Sequence, residues 1–310
     1  MLNPSDKSCP FCNGVQLRHY VAPAHDVENE TVSIVECRNC EAGWQWPRRR
    51  SEQQSAAVFE NAYAQHNDGS YFDISKRDSV ANCQVDFILK KRTQPGRLLD
   101  IGCGDGNFAR HMAQRGWDVT GLDPAMSKGT VEQVDKGRLS LQSHGLVELP
   151  PGQLFDVITL WDVVEHVEKP DQLIQAAVAY LAPGGLLIAE TGNFQSAGRI
   201  DSQGTWWNFQ LDHRWYFAPP QLEAMMAQAG LDGIELDDKV LRPWWKGQRD
   251  MPRPRLRSVV KAVVKKPWQI STILRRHNDL LSGQKNWAGW SGLDIMTMTG
   301  RKGAPRADAR

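Results

Sequence analysis

Asp162, Glu165 and His166 place three titratable groups at spacings of three and four residues, so on a helical turn they would share one face. Transfer of a group to a hydroxyl needs a base to take the hydroxyl proton. A neutral imidazole does this at neutral pH, which makes His166 a candidate general base; packing beside a cofactor and ligating a metal are its other open roles. A second constellation is Cys9-Pro-Phe-Cys12 with Cys37-Arg-Asn-Cys40, two CxxC pairs separated by 24 residues. Two residues between cysteines let a turn bring both sulfurs to one ion at about 2.3 Å, and two such knuckles close a tetrahedron. Four thiolates leave no position for a reacting water, so the expected ion is a structural zinc.

These groups need elements to position them. Leu98-Leu-Asp-Ile-Gly-Cys-Gly-Asp-Gly-Asn-Phe108 reads as an apolar strand that breaks at Gly102, Gly104 and Gly106 and restarts as a helix. Glycine lets the backbone approach a ligand, and the following helix offers free N–H groups, which together suit a nucleotide pocket. Asp100 would orient that loop. A second strand ends in Asp123, where this architecture sets a carboxylate against ribose hydroxyls. Asp156-Val-Ile-Thr-Leu160 reads as a fourth strand running into Trp161, which is expected on the cofactor side at the carboxyl edge. Leu181 to Glu190, through Pro183-Gly-Gly185, turns into a fifth, and Gly233–Leu241 and Asp294–Thr299 supply the last two. Ser79–Arg92 has helical periodicity and should cover the pocket.

This order of motifs resembles the class I S-adenosylmethionine-dependent methyltransferases over roughly residues 80–240 and 293–301. The resemblance implies an α/β fold with a Rossmann-like, seven-stranded, mostly parallel sheet whose last strand is antiparallel. It also implies S-adenosylmethionine as cofactor, Asp100 near its amino group and Leu146, in Gly145-Leu-Val-Glu148, against its adenine. The four-cysteine ribbon and the tyrosine-bearing stretch after it are similar to zinc-ribbon methyltransferases of bacterial glycan and secondary-metabolite pathways. Within Leu211-Asp-His-Arg-Trp-Tyr-Phe217, His213 stands where small-RNA ribose methyltransferases place a further ligand beside a Glu-x-x-Glu-His cluster. Asp162 replaces the first Glu here. That likeness makes magnesium or manganese on Asp162, Glu165, His166 and His213 an alternative to a metal-free base, and both readings place His213 in the active site.

The chain has 310 residues, 41% of them apolar, and a formal net charge of +1. That length suits about two domains. The expected division is a zinc ribbon over 1–50, a linker over 51–78, the methyltransferase domain over 79–301 and a tail over 302–310. The near-neutral total conceals an asymmetry: Arg242 to Lys285 holds twelve Lys or Arg against Asp250 and Asp279. This basic stretch, part of an insert over 242–290, has the spacing of two amphipathic helices. It reads as a lid, with an anionic membrane surface, a lipid-linked acceptor or, less favoured, nucleic acid as the alternative contacts. Trp206 and Trp207, in a Gly/Ser/Gln-rich loop, read as an acceptor wall. No apolar run reaches the ~18 residues of a membrane helix, and the first residues lack a signal-peptide core. The expected location is therefore cytoplasmic, with peripheral contact at the inner membrane face as a variant. The function expected is methyl transfer to an oxygen of a sugar, glycan or small hydroxylated metabolite. RNA methylation and a non-catalytic scaffold are the competing classes.

Overall fold

A computed structural model describes residue 2 and residues 6–48, 50–51, 54, 57, 74–126, 130–133, 137–196, 199–200, 202, 204–237 and 294–303. The basic insert over 242–290 and most of the linker lie outside the described residues.

Leu98, Leu99, Val157, Ile158, Leu160, Leu187 and Ile188 are fully buried, as strands covered on both faces require. They belong to β4 (Arg97–Ile101), β8 (Phe155–Trp161) and β9 (Leu181–Gly192). These strands lie in one sheet with β5 (Asp118–Leu122), β6 (Thr130–Gln133), β7 (Arg138–Gln142), β11 (Leu231–Asp237) and β12 (Ile295–Lys302). The order across it is β11-β12-β9-β8-β4-β5-β7-β6. The five central strands are parallel, and β12 runs antiparallel to both its neighbours. This is the expected sheet with one addition: β6, a short antiparallel edge strand beside β7, makes eight.

One face of the sheet is covered by α1 (Ile74–Lys91) and α2 (Asn107–Ala113), through Val85, Ile88, Ala109 and Met112. The other is covered by α3 (Pro170–Ala179) and α4 (Pro219–Gln228), through Ile174, Val178, Leu222 and Met226. Each begins at a proline, whose missing N–H costs nothing in a first turn. Burying an aliphatic side chain of this kind contributes about 1.5–3 kcal/mol. The chain order reverses between β4 and its neighbours β5 and β8, and this switch point opens the crevice where ligands of such sheets bind.

The amino-terminal residues form a second sheet. β1 (Leu17–Pro23) and β2 (Thr31–Cys37) pair as an antiparallel hairpin, and β3 (Gly43–Gln45) adds to β2. Its fourth strand, β10 (Trp215–Tyr216), comes from beyond β9, with Trp215 opposite Trp44. The cysteine module therefore shares a sheet with the segment that follows the central strands. Between them lies a buried ion pair, Glu36 with Arg199 at 2.8 Å, to which Tyr20 adds a hydrogen bond at 3.2 Å.

Candidate active site

The glycine loop sits at the carboxyl end of β4. Gly102 and Gly106 have φ of 71° and 80°, and a Cβ on either would lie 2.5 Å from Val163 or Leu141 respectively. Only glycine meets both demands. Gly106 is the N-cap of α2, whose first N–H groups have no acceptor within the helix. Asp105 of this loop is paired with Arg77 of α1, so the covering helix is fastened to the loop itself.

Asp100 is buried and accepts a hydrogen bond from Thr159 Oγ1 at 2.7 Å. Burial pushes its carboxyl up to about 7, with Asp123 adding to the rise and Thr159 opposing it. Asp123 stands at the tip of β5 and accepts from Gly104 N and Ala125 N, both at 2.8 Å. It ties the glycine loop to the second strand, and each oxygen keeps a lone pair for a further donor. Trp161 packs edge-on against Phe108 at 5.5 Å, and its buried Nε1 has no acceptor among the described residues. Leu146 opens a single 3-10 turn, Leu146–Glu148, with its side chain packed in the apolar core. Glycine cradle, carboxylate and unpartnered indole N–H together fit a nucleoside cofactor.

Beyond β8 the chain makes a single turn at 164–166 rather than a longer helix. Residues 162–169 make a tight turn in which Asp162 takes a left-handed φ of 52° and His166 N bonds back to Val163 O at 3.0 Å. Aspartate tolerates that conformation better than most residues, and from there its charge still acts on both Glu165 and His213. What the turn gathers instead is Glu165, His166 and His213, whose ligand atoms lie within 4.8 Å of one another. The two imidazoles meet edge to face at 4.6 Å.

Burial pushes Glu165 up to about 7, against the pull of His166, and leaves its Oε2 without a hydrogen-bond partner among the described residues. His213 is held down to about 4, chiefly by burial and then by His166. Its Nδ1 lies 3.0 Å from Asn208 O. A carbonyl can only accept, so the proton sits on Nδ1 and the Nε2 lone pair is presented to the site. His166 Nδ1 likewise lies 3.3 Å from Asp212 O and 3.6 Å from Asp212 Oδ2. Burial raises the Asp212 carboxyl, but His166 and His213 outweigh it and hold the group below its ordinary value. Asp212 was not singled out from the sequence, although it adjoins His213; its acidity beside a histidine was the available signal.

Of the two expected acceptor-wall residues, Trp206 is a correction. It is 1% exposed, enclosed by Phe194, Phe209 and Tyr216, because an indole in a nest of rings removes more apolar area from water than a loop position can leave exposed. Trp207 is half-buried and donates Nε1 to Asp294 Oδ2 at 3.0 Å, near the end of β9.

The four cysteines do converge. Cys9 and Cys40 Sγ lie 3.5 Å apart, Cys12 and Cys37 Sγ 3.6 Å, close to the edge of about 3.8 Å of a tetrahedron with 2.3 Å bonds. Cys9 N and Asn13 N close a knuckle through Gly14 O and Cys9 O, and Cys37 N and Glu41 N close the other through Ala42 O and Cys37 O. All-sulfur donors without a carboxylate suit zinc.

A family model described as Methyltransferase domain matches residues 74–236, from α1 to β11. Among curated relatives, the ubiquinone biosynthesis O-methyltransferase of Cereibacter sphaeroides is 31% identical over 176 residues, covering 50% of this chain and 69% of that one. The protein of the same name from Pseudomonas aeruginosa is 32% identical over 164 residues, covering 48% and 70%. Among solved structures, the Burkholderia thailandensis 1,6-didemethyltoxoflavin-N1-methyltransferase with bound S-adenosylhomocysteine shares the fold. Its TM-score is 0.50 at 14% identity, over 91% of this chain and 99% of that one. With the glycine loop, the reversed strand order and the antiparallel β12 all in place, the chain belongs to the methyltransferase-domain family and is a class I S-adenosylmethionine-dependent methyltransferase.

Proposed function

We propose that the chain methylates an oxygen of a small hydroxylated acceptor, a sugar or glycan unit among them, with His166 as the base that takes the hydroxyl proton. The observation that carries this reading is the Asp212–His166 pair at the carboxyl edge of β8. When bound, S-adenosylmethionine supplies an activated methyl group. Everything else falls to this chain. Asp212 and its carbonyl hold His166 with Nδ1 protonated, so that Nε2 faces the acceptor, and the carboxylate stabilises the imidazolium that forms. His213 remains neutral and offers an acceptor for a neighbouring donor of the substrate, which favours one orientation over another. Asp123 would take the ribose hydroxyls, Gly102, Gly104 and Gly106 admit the cofactor, Asp100 and Trp161 support the loop, and Leu146 backs the adenine side. The names of the two curated relatives support oxygen as the atom methylated. Zinc on Cys9, Cys12, Cys37 and Cys40 would hold the amino-terminal module closed.

A second reading rests on one observation, the unpartnered Oε2 of buried Glu165 beside two imidazole nitrogens. Such a set could hold magnesium or manganese, lowering the pKa of an acceptor hydroxyl. One experiment separates the two. As a base, His166→Ala costs ~10² to 10⁴ in turnover at unchanged S-adenosylhomocysteine affinity, and EDTA has no effect while zinc stays bound. Loss of activity in EDTA with recovery in magnesium or manganese overturns the metal-free reading.

A further inference from the structure

The segment that carries Asp212 and His213 has little structure of its own, and the amino-terminal module holds it from one side at five points. His25 N donates to Phe209 O at 2.8 Å, and Leu211 N donates to Asp26 Oδ1 at 2.9 Å. Gln45 donates from Nε2 to Leu211 O at 3.3 Å and from its backbone to Arg214 O at 2.9 Å. Arg214 Nη2 donates to Arg50 O at 3.3 Å, and Arg50 Nη1 stands 3.7 Å from Asp26 Oδ2. From the opposite side, Glu165 O accepts Arg214 N at 2.8 Å and Trp215 N at 3.3 Å. Residues 209–215 are thus clamped between the cysteine module and the turn that bears Glu165 and His166. Phe11 inside the first CxxC pair packs edge-on against Trp215 and Phe217, and Gln221 Nε2 donates to Cys40 O at 3.0 Å, which links both knuckles to the same clamp.

We propose that Asp26 is a positioning residue for the base: by fixing the Leu211 amide it sets where the next residue, Asp212, meets His166 Nδ1. The amino-terminal module is then a working part of the acceptor site, and a nucleic-acid-binding ribbon is not needed to account for it. Asp26 acts through its bond to the Leu211 amide, one residue before the carboxylate that holds the imidazole, and its own charge faces that of Asp212. A half-buried carboxylate suits this task, because a charge-assisted bond to an N–H is about twice as strong as a neutral one and fixes geometry better. Arg50 closes the other oxygen, so the carboxylate cannot swing away. The inference rests on the reading of His166 as a group whose orientation matters, and its test does not require turnover.

The experiment uses the full, zinc-loaded chain at about pH 8, with long-range ¹H–¹⁵N correlation of the histidine rings to read which nitrogen of His166 carries the proton; His166→Ala supplies the assignment. The wild type is expected to show one form, protonated at Nδ1. Asp26→Leu, close in size but unable to accept, is expected to give a mixture of both tautomers. Asp26→Asn, whose amide oxygen can still accept from Leu211 N, should restore the single form. Zinc content by elemental analysis and S-adenosylhomocysteine affinity by calorimetry should stay within about twofold in both variants. A His166 ring that remains wholly Nδ1-protonated in Asp26→Leu overturns the proposal. So does a fall in zinc content or S-adenosylhomocysteine affinity alongside the ring change, because Asp26 would then support folding as a whole. The tautomer is independent of whether His166 accepts a proton in turnover, so failure of the base reading and failure of this one are distinguishable.

Discussion

His213 should make the protein acid-sensitive in a way that its replacement removes. In the folded chain burial holds the imidazole down to about 4, whereas in the unfolded chain it titrates near 6.5. A histidine with a depressed folded value is charged more readily when unfolded. Between these values the unfolded state binds the extra proton, so stability is lost as pH falls through 6.5 and the loss is complete below about 4. Integrating that difference gives a loss of about 2 kcal/mol between about pH 7.5 and pH 5.0. Glu165 works the other way: its folded value near 7 exceeds the ordinary carboxyl value, so the folded state binds the extra proton and acid favours it. The wild type alone therefore shows a muted slope. The informative quantity is the difference between wild type and His213→Gln, measured as urea unfolding free energies at both pH values. Glutamine keeps an amide to meet Asn208 O and has nothing to titrate. Relative to the wild type, the variant should gain about 2 kcal/mol on going to pH 5.0. Parallel losses in the two proteins would refute the buried, neutral imidazole and with it the assignment of Nε2 as a standing acceptor.

Asp123→Ala should weaken S-adenosylhomocysteine binding by about 1.5–3 kcal/mol, the scale of a hydrogen bond to a charged group, and calorimetry reads it. An unchanged affinity removes Asp123 from the ribose. Elemental analysis should find about one zinc per chain; Cys37→Ser should lose that zinc and lower soluble yield, and zinc-free, reduced wild-type protein that folds normally would sink the site. Glu36→Leu leaves Arg199 buried without its carboxylate and should cost about 3–5 kcal/mol in urea unfolding, while an exposed-pair value below about 1 kcal/mol would show that water reaches the arginine.

Most of the central sheet could be read in advance because its determinants are local. Apolar runs of strand length, three glycines at fixed offsets and an acid after each of two strands are visible without knowing what packs on what. The helix expected from Ser79 begins at Ile74, and its apolar face was legible from Val80 to Ile88 by spacing alone. Where the sequence misled, the cause was non-local. β10 is two residues long, too short to have a period, and exists because Trp44 lies opposite Trp215. β6 is a four-residue edge strand stabilised by β7 alone. Trp206 looked like a surface aromatic because its loop is rich in Gly, Ser and Gln. Phe194, Phe209 and Tyr216, distributed over more than twenty residues, form the nest that buries it.

The active-site turn shows the same contrast at the scale of single residues. Spacing put Asp162, Glu165 and His166 on one helical face, yet the chain leaves β8 through a left-handed residue, and Asp162 N bonds to Glu190 O of the neighbouring strand. Past that residue Glu165 is buried, and its carbonyl holds Arg214 N and Trp215 N. The partner of His166 then has to come from residues 193–214, a stretch with few elements of its own. Its described residues 204–214 hold turns but neither strand nor helix, and such a segment needs a brace. The brace is the cysteine module, which supplies a strand, two carboxylates and a glutamine to the same stretch. The amino-terminal cysteines and the late Asp-His pair were each legible as motifs. Their connection was not, because each bond from the module to residues 209–214 has a backbone N–H or C=O on at least one side, and that half leaves no trace in residue type.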